Sequence, residues 1–281
     1  MVEFEKSVAG AVPDRGFTHG AKFHADDVFS TALLRILNPG IEVIRGVEVP
    51  DDFDGIVYDI GRGRFDHHQA DKEIRANGIP YAAFGLLWRE YGAFLLKEDE
   101  VARFDENFIQ PLDESDNTGS PHVLSDVIER FNPSWDSDCP FDDRFWEAEK
   151  LAEQILYHYV ESIQGLRRAS AVVEKAMEEC GGQILILPCY VPWKEKVVGS
   201  SYRFVVYPSN RGGYSVQGVP RGMNDPTLFC EFPQQWRGME AEKLQHLSGV
   251  ATARFCHAAG FLASAESEED AVRLGRLALE I

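Results

Sequence analysis

Apolar positions recur along this chain with two different periods, and the change from one to the other divides it. In HADDVFSTALLRIL, residues 24–37, Val28, Phe29, Ala32, Leu33, Ile36 and Leu37 stand three and four apart, the spacing of one helical face. Asp26 and Asp27 fall at the start of that helix, where carboxylates suit the exposed N–H groups and the dipole. Asn38-Pro39-Gly40 stops it. IEVIRGVEV then reads as one strand or two short ones, and GIVYDIG as a compact strand with Asp59 near its carboxyl end. Strand, helix and strand in this order predict a parallel α/β sheet, whose ligands sit beyond the carboxyl ends of its strands. PYAAFGLLWREYGAFLL, residues 80–96, predicts a helix with a wide apolar face. From residue 145 to about 180 a long amphipathic helix is expected, with Leu151, Ile155, Leu156, Tyr159, Val160, Ile163 and Leu166 on one side.

Beyond that helix the pattern shortens. QILIL, SYRFVVYP and GYSVQGVP read as strands separated by Gly, Pro and Ser. SEEDAVRLGRLALEI closes the chain as a helix with Ser267 as N-cap and Leu274, Leu277, Ala278 and Ile281 as its inner face. The expected fold is therefore α/β: a mostly parallel sheet in an N-terminal domain over residues 1–180, linking helix included, and a smaller α+β domain over residues 181–281.

Composition narrows the function classes. With 281 residues, 44% of them hydrophobic, the chain can bury a substantial core. No apolar run approaches the roughly 18 to 20 residues that cross a bilayer, so no membrane role is expected. The start of the chain lacks the basic and apolar regions of a secretory signal. Cys139, Cys180, Cys189, Cys230 and Cys256 are dispersed with no C-x-x-C pair, which reads as reduced thiols and a cytoplasmic setting. Lys and Arg number 28 against 46 Asp and Glu, a net charge of −18 at pH 7. A protein that grips long duplexes carries a basic footprint, and this one has none overall. A short anionic ligand, held where metal ions reverse the local field, remains compatible with that charge. The composition is also compatible with a homo-oligomer.

Candidate chemistry concentrates in the first part of the chain. THGAKFHADD supplies His19, His24, Asp26 and Asp27; GIVYDIG supplies Asp59; FDHHQ supplies Asp66, His67 and His68; LDESDNTG adds Asp113 and Asp116. Mixed imidazole and carboxylate donors favour Mn²⁺, Zn²⁺ or Fe²⁺, while Mg²⁺ prefers an all-oxygen shell. Several carboxylates allow one to bridge two ions, and a pair about 3.5 to 4 Å apart suits in-line attack on phosphorus. On a regular strand the side chains of His67 and His68 would point to opposite faces. After the Gly61-Arg62-Gly63 turn they can leave a strand end irregularly, one to ligate a metal and the other to meet a substrate phosphate, with Asp66 fixing an imidazole tautomer.

These motifs resemble the DHH phosphoesterase superfamily of nucleases, oligonucleotide-degrading enzymes and manganese pyrophosphatases, and most closely its Myg-type (melanocyte-proliferating-gene) branch of metal-dependent hydrolases. The resemblance runs through THGAKFHADDVFSTALLRIL, VYDIG, RFDHHQ, NFIQPLDESDNTG and PQQWRGMEAEKLQHLSGVATARFCHAAGF. It implies two divalent ions, Mn²⁺ foremost, one held by His24 and His19, the other by Asp26 and His67, with Asp59 bridging. Asp116 would complete the second ion, with Asp113 as its rival. His68, partnered by Asp66, would face the scissile phosphate, and Arg237 and His257 would grip the substrate. The chain departs from the branch at Gly20, Thr118 and Leu262-Ala263-Ser264.

Three functions follow as expectations. The first is a metal-dependent phosphodiesterase trimming short single-stranded RNA or DNA from the 3′ end. The second is a phosphatase or pyrophosphatase of a small phosphorylated metabolite. The third is a non-catalytic scaffold that holds metal. Trp193 and Trp236 are candidates for stacking on bases, although tryptophan more often packs a core.

Overall fold

In the computed structural model, which describes residues 2–8 and 10–281, strand β1 (Arg15–His19) is followed by helix α1 (Ala25–Leu37), β2 (Glu42–Gly46) and β3 (Ile56–Val57). The three strands form a parallel sheet in the order β2-β1-β3, with His19 opposite Gly46 and Phe17 opposite Val57. Every residue of α1 except Arg35 is buried. Its acids are therefore buried, not on a solvated helix start, and its apolar residues belong to a large cluster of the first unit. That cluster includes Phe29, Leu33, Phe84, Trp88 and Phe145, each fully buried side chain contributing about 1.5–3 kcal/mol.

Helices α2 (Ala83–Tyr91), α3 (Glu98–Phe104), α4 (Gln110–Thr118), α5 (Val123–Glu129) and the long α6 (Phe141–Glu179) follow. A π-turn at Asp105–Ile109 joins α3 to α4. The chain divides into two compact units, the first ending at Gln164 and the second covering Gly165–Ile281. The division falls inside α6 rather than after it. Early α6 residues Phe145, Ala148, Ala152 and Leu156 pack in the α1 cluster, whereas Val173 and Ala176 pack in a cluster of the second unit.

The second unit contains β4 (Ile184–Ile186), α7 (Lys194–Val197), β5 (Phe204–Pro208), β6 (Tyr214–Gly218), α8 (Ala241–Ser248), β7 (Ala253–Cys256), β8 (Leu262–Ala265) and α9 (Glu268–Leu279). Its mixed sheet runs β4-β5-β6-β8-β7, parallel at β4–β5 and antiparallel elsewhere. Strand alternation sorts the side chains. Phe204, Val206, Val216, Ala263 and Ala265 share a cluster with Leu274 and Ala278 of α9, while Val205, Tyr207 and Leu185 meet Val173, Trp193 and Val197. Ser267 caps α9 by accepting from Asp270 N–H. Ile281, expected on the inner face, lies beyond the helix end and is exposed. Trp193 and Trp236 are both buried, which removes them as stacking platforms. Among the described residues, no helix is long and apolar enough to cross a membrane.

Candidate metal centre

The first unit gathers its acids and imidazoles beyond the carboxyl ends of the parallel strands. His19 is the last residue of β1, and Asp26 and Asp27 stand in the first turn of α1. β3 ends after two residues, and Asp59 follows with φ +56°, a left-handed conformation that aspartate tolerates better than most side chains. Gly61 and Arg62 also have positive φ, and the turn closes where Asp59 N–H donates to Phe65 O. The chain therefore doubles back, and Asp66, His67 and His68 arrive beside Asp59. Two non-glycine residues in the left-handed region within one short turn is the kind of strain that surrounding structure must hold in place.

Three overlapping groups of donors result: His19 with Asp27 and Asp59; Asp26 with His67 and Asp116; and Asp59 with His67 and His68. His19 Nε2 lies 3.3 Å from Asp27 Oδ2 and 3.2 Å from Asp59 Oδ2. His67 Nε2 lies 3.1 Å from Asp59 Oδ1, 3.3 Å from Asp116 Oδ2 and 3.6 Å from Asp26 Oδ2. Asp59 thus offers one oxygen to each side. Both rings are oriented from behind. Nδ1 of His19 meets the Gly20 carbonyl at 3.1 Å, and Nδ1 of His67 meets Asn117 Oδ1 at 3.3 Å. Asn117 must present its oxygen, because its Nδ2 donates to Tyr81 O and Asp113 O. Each Nδ1 is thereby held as a donor and each Nε2 is the ring atom turned to the carboxylates, the orientation of metal-ligating imidazoles.

Asp113 and Asp116 are separated by a single partner. Arg75, buried, places Nη2 2.7 Å from Asp113 Oδ2 while bonding Asp105 through Nε and Nη2. Asp113 Oδ1 also accepts from Gly85 N–H, and Asp26 accepts from Ala83 and Phe84 N–H, so two carboxylates cap the start of α2. A Cβ at Gly85 would sit 1.9 Å from Asp113 Oδ2 and 2.5 Å from Arg75 Nη2, so only glycine fits. Asp113 is consumed by this clamp, and Asp116 is left facing His67.

The remaining charge does not balance. Asp26, Asp27, Asp59 and Asp116 crowd together with the imidazoles of His19, His67 and the exposed His68, and with one guanidinium, that of Arg45, 3.8 Å from Asp27 Oδ2. Burial, with repulsion from Asp59, Asp116 and Asp113, pushes Asp26 well above the carboxylate range. Burial also pushes Asp27 up to about 7, despite the opposing pull of His19. Asp59 is held at about 2, because His19 and His67 outweigh its burial. His19 is raised to about 9, its burial overcome by the Asp59 hydrogen bond and the charges of Asp27 and Asp59. A site that gathers protons in this way is one whose protons a cation can displace. Asp27 Oδ2 is in addition buried without a hydrogen-bond partner. The donors present fit a divalent cation: positive charge is what the cluster lacks.

The other expected residues differ in how they stand to these groups. His24 is exposed and belongs to none of the three groups; its backbone N–H, not its ring, serves the site by donating to Asp27 Oδ1 at 2.8 Å. His68 is 60% exposed, its Nδ1 2.7 Å from Asp66 Oδ1, and Asp66 Oδ2 accepts from Arg62 N–H. In the second unit, Arg237 bonds Phe232 O and Glu231. His257 stands half-buried in the turn after β7, where its Nδ1 accepts from Ala259 N–H. Sequence reasoning counted Asp27 among the candidates but gave it to neither ion, and it missed Asn117, Arg45 and Arg75 as supports. Asp27 carried a signal, its place in the His/Asp motif, but helix capping explained it as well.

A family model described as "Uncharacterised protein family (UPF0160)", MYG1_exonuc, matches residues 17–279. The MYG1 exonuclease of Rattus norvegicus is 28% identical, across 95% of this chain and 85% of the relative. That of Homo sapiens is 27% identical, across 95% and 86%. The MYG1 protein of Dictyostelium discoideum is 27% identical, across 91% and 93%. No solved structure matches.

Proposed function

The chain belongs to the MYG1_exonuc family (UPF0160), and from that premise we propose that it is a metal-dependent phosphodiesterase of the DHH type, removing nucleotides from the 3′ end of short single-stranded RNA or DNA. Relatives named exonucleases support the hydrolase class. The observation that carries the reading is the shared position of Asp59, with one oxygen toward His19 and the other toward His67. His19, Asp27 and Asp59 would hold one divalent ion, and Asp26, His67 and Asp116 the other with Asp59 between them. Mn²⁺ suits this nitrogen and oxygen set. When bound, such ions polarise phosphoryl oxygens and bring the pKa of water toward neutrality.

The chain's own groups do the rest. Asp66 accepts from His68 Nδ1, which steadies the exposed ring and leaves its Nε2 to meet a phosphate oxygen. Asn117 and the Gly20 carbonyl keep the two ligand imidazoles in the required tautomer. The clamp of Arg75 on Asp113 holds α4, and with it Asp116, in register.

The test is hydrolysis of 3′-labelled and 5′-labelled oligonucleotides with Mn²⁺, comparing the natural chain with Asp59→Asn. Loss of stepwise 3′ shortening in the variant is expected. Equal shortening by both proteins would dismiss the assigned site, and release of phosphate from small esters alone would point to a metabolite phosphatase.

A further inference from the structure

A second site lies on the sheet of the second unit. Strand register places Tyr207 opposite Ser215, Ser215 opposite Ser264, and Ser264 opposite Phe255, so that one row crosses β5, β6, β8 and β7. Residues paired across neighbouring strands share a face, and this is the face away from the cluster that α9 joins. Two aromatic side chains therefore stand at the ends of a row whose middle is two serines. Three inter-strand steps make the row about 14 Å wide. Tyr190 packs edge-on against Tyr207, ring centroids 5.2 Å apart, and raises that wall. Tyr207 itself is buried, and the rings open to solvent are Tyr190, 55% exposed, and Phe255, 36% exposed.

The row is part of the floor of a cavity of about 1040 Å³, near the upper end of the range of about 300–1,000 Å³ for ligand pockets. Its rim is charged at a defined place. Arg211 and Arg254 flank the β5–β6 turn, where Arg254 Nη1 donates to Gly212 O at 2.9 Å. Arg254 also pairs with Glu266, but the Arg211 guanidinium and the Lys243 ammonium have no partner among the described residues. Glu240 and Glu242 stand beside Lys243. In a chain of net charge −18, cations without counter-ions beside exposed aromatic rings are not the ordinary solvated side of an antiparallel sheet.

The geometry points to a groove that binds single-stranded nucleic acid, bases stacking on Tyr190 and Phe255 and a phosphate received by Arg211 and Arg254. Aromatic faces accept any base, and cations track the backbone. Ser215 and Ser264 supply small, hydrogen-bonding floor positions, and the Glu240 and Glu242 carboxylates can accept from exocyclic amino groups. A duplex offers no free base faces for the walls. The identity of this occupant rests on the phosphodiesterase reading; the groove itself is built from residues of the second unit alone.

The experiment measures fluorescence anisotropy of a labelled single-stranded hexaadenylate RNA with full-length protein carrying Asp59→Asn, so that turnover does not interfere. Tyr190→Ala and Phe255→Ala should each weaken binding about 5- to 100-fold, and Arg211→Glu, at an exposed position, should weaken it and flatten its salt dependence. An abasic hexamer should bind no better than the aromatic variants bind the RNA. Equal affinity of all variants, or equal binding of the abasic strand, overturns the groove while leaving the phosphodiesterase reading intact. Groove-dependent binding by a natural chain that hydrolyses no oligonucleotide with any divalent ion would defeat that reading and keep the groove.

Discussion

Replacing Gly85 with alanine should reach the metal centre without touching a ligand. Gly85 lies in α2, where alanine is favoured over glycine by about 1 kcal/mol. Here the added Cβ would sit 1.9 Å from Asp113 Oδ2 and 2.5 Å from Arg75 Nη2, so the buried pair must part. Breaking such a pair costs about 3–5 kcal/mol, leaving a net loss of roughly 2–4 kcal/mol. For a unit of this size that is a fall of roughly 5–15 °C in melting temperature. Gly165 in α6 is the internal control, since a Cβ there meets only Arg168 Nη2 at 3.8 Å. Gly165→Ala should raise stability by about 1 kcal/mol. The chain of contacts continues from Asp113 O to Asn117 Nδ2 and from Asn117 Oδ1 to His67, so Gly85→Ala should also weaken Mn²⁺ binding. Thermal melts with chelator, followed by calorimetric Mn²⁺ titration, read both effects. Equal melting temperatures for the two variants would refute the clamp.

Glu149 is buried, with neither carboxylate oxygen hydrogen-bonded and Arg35 Nε 3.6 Å away. Burial raises it from the usual 4.5 to about 7, so the folded chain keeps a proton that the unfolded chain has lost between those values. Its contribution is full below about 4.5 and is lost as pH rises through about 7, a difference of about 3 kcal/mol at most. Glu149→Gln should therefore stabilise the protein at pH 8 and change little at pH 4.5, as read by urea unfolding. Asp113, near the same value, titrates in the same window, so the informative quantity is the difference between the two proteins; a constant difference across pH would sink the assignment. At the metal centre, Asp27→Asn should weaken Mn²⁺ binding by at least about tenfold, while His24→Ala stays within about threefold. The reverse order in calorimetric titrations would return the ligand role to His24.

The first strands and α1 were legible because each follows a single period, and Asp59 and His67 because their motifs leave few other uses for them. β3 was harder. It ends after two residues, and the left-handed Asp59 then breaks the pleat, an event that hydrophobic pattern does not encode. Asp27 was hidden by an adequate local explanation, since an acid in the first turn of a helix needs no metal. Asp113 and Asp116, three apart, lie on one side of a helix and cannot be ranked by spacing. What separates them is Arg75, distant in sequence, and no local pattern announces that pairing. The acid-rich stretch from Glu98 is helical through a π-turn that brings Asp105 to the same arginine, which its composition does not announce. The division of the chain within α6 was likewise out of reach, because an unbroken helical period gives no sign of a change in packing partner.

The most direct test of the paired-cation site is anomalous diffraction at the manganese edge from crystals grown with Mn²⁺. Two peaks are expected, one among His19, Asp27 and Asp59 and the other among Asp26, His67 and Asp116, each within bonding reach of Asp59. No peak, or peaks away from Asp59, would contradict the account.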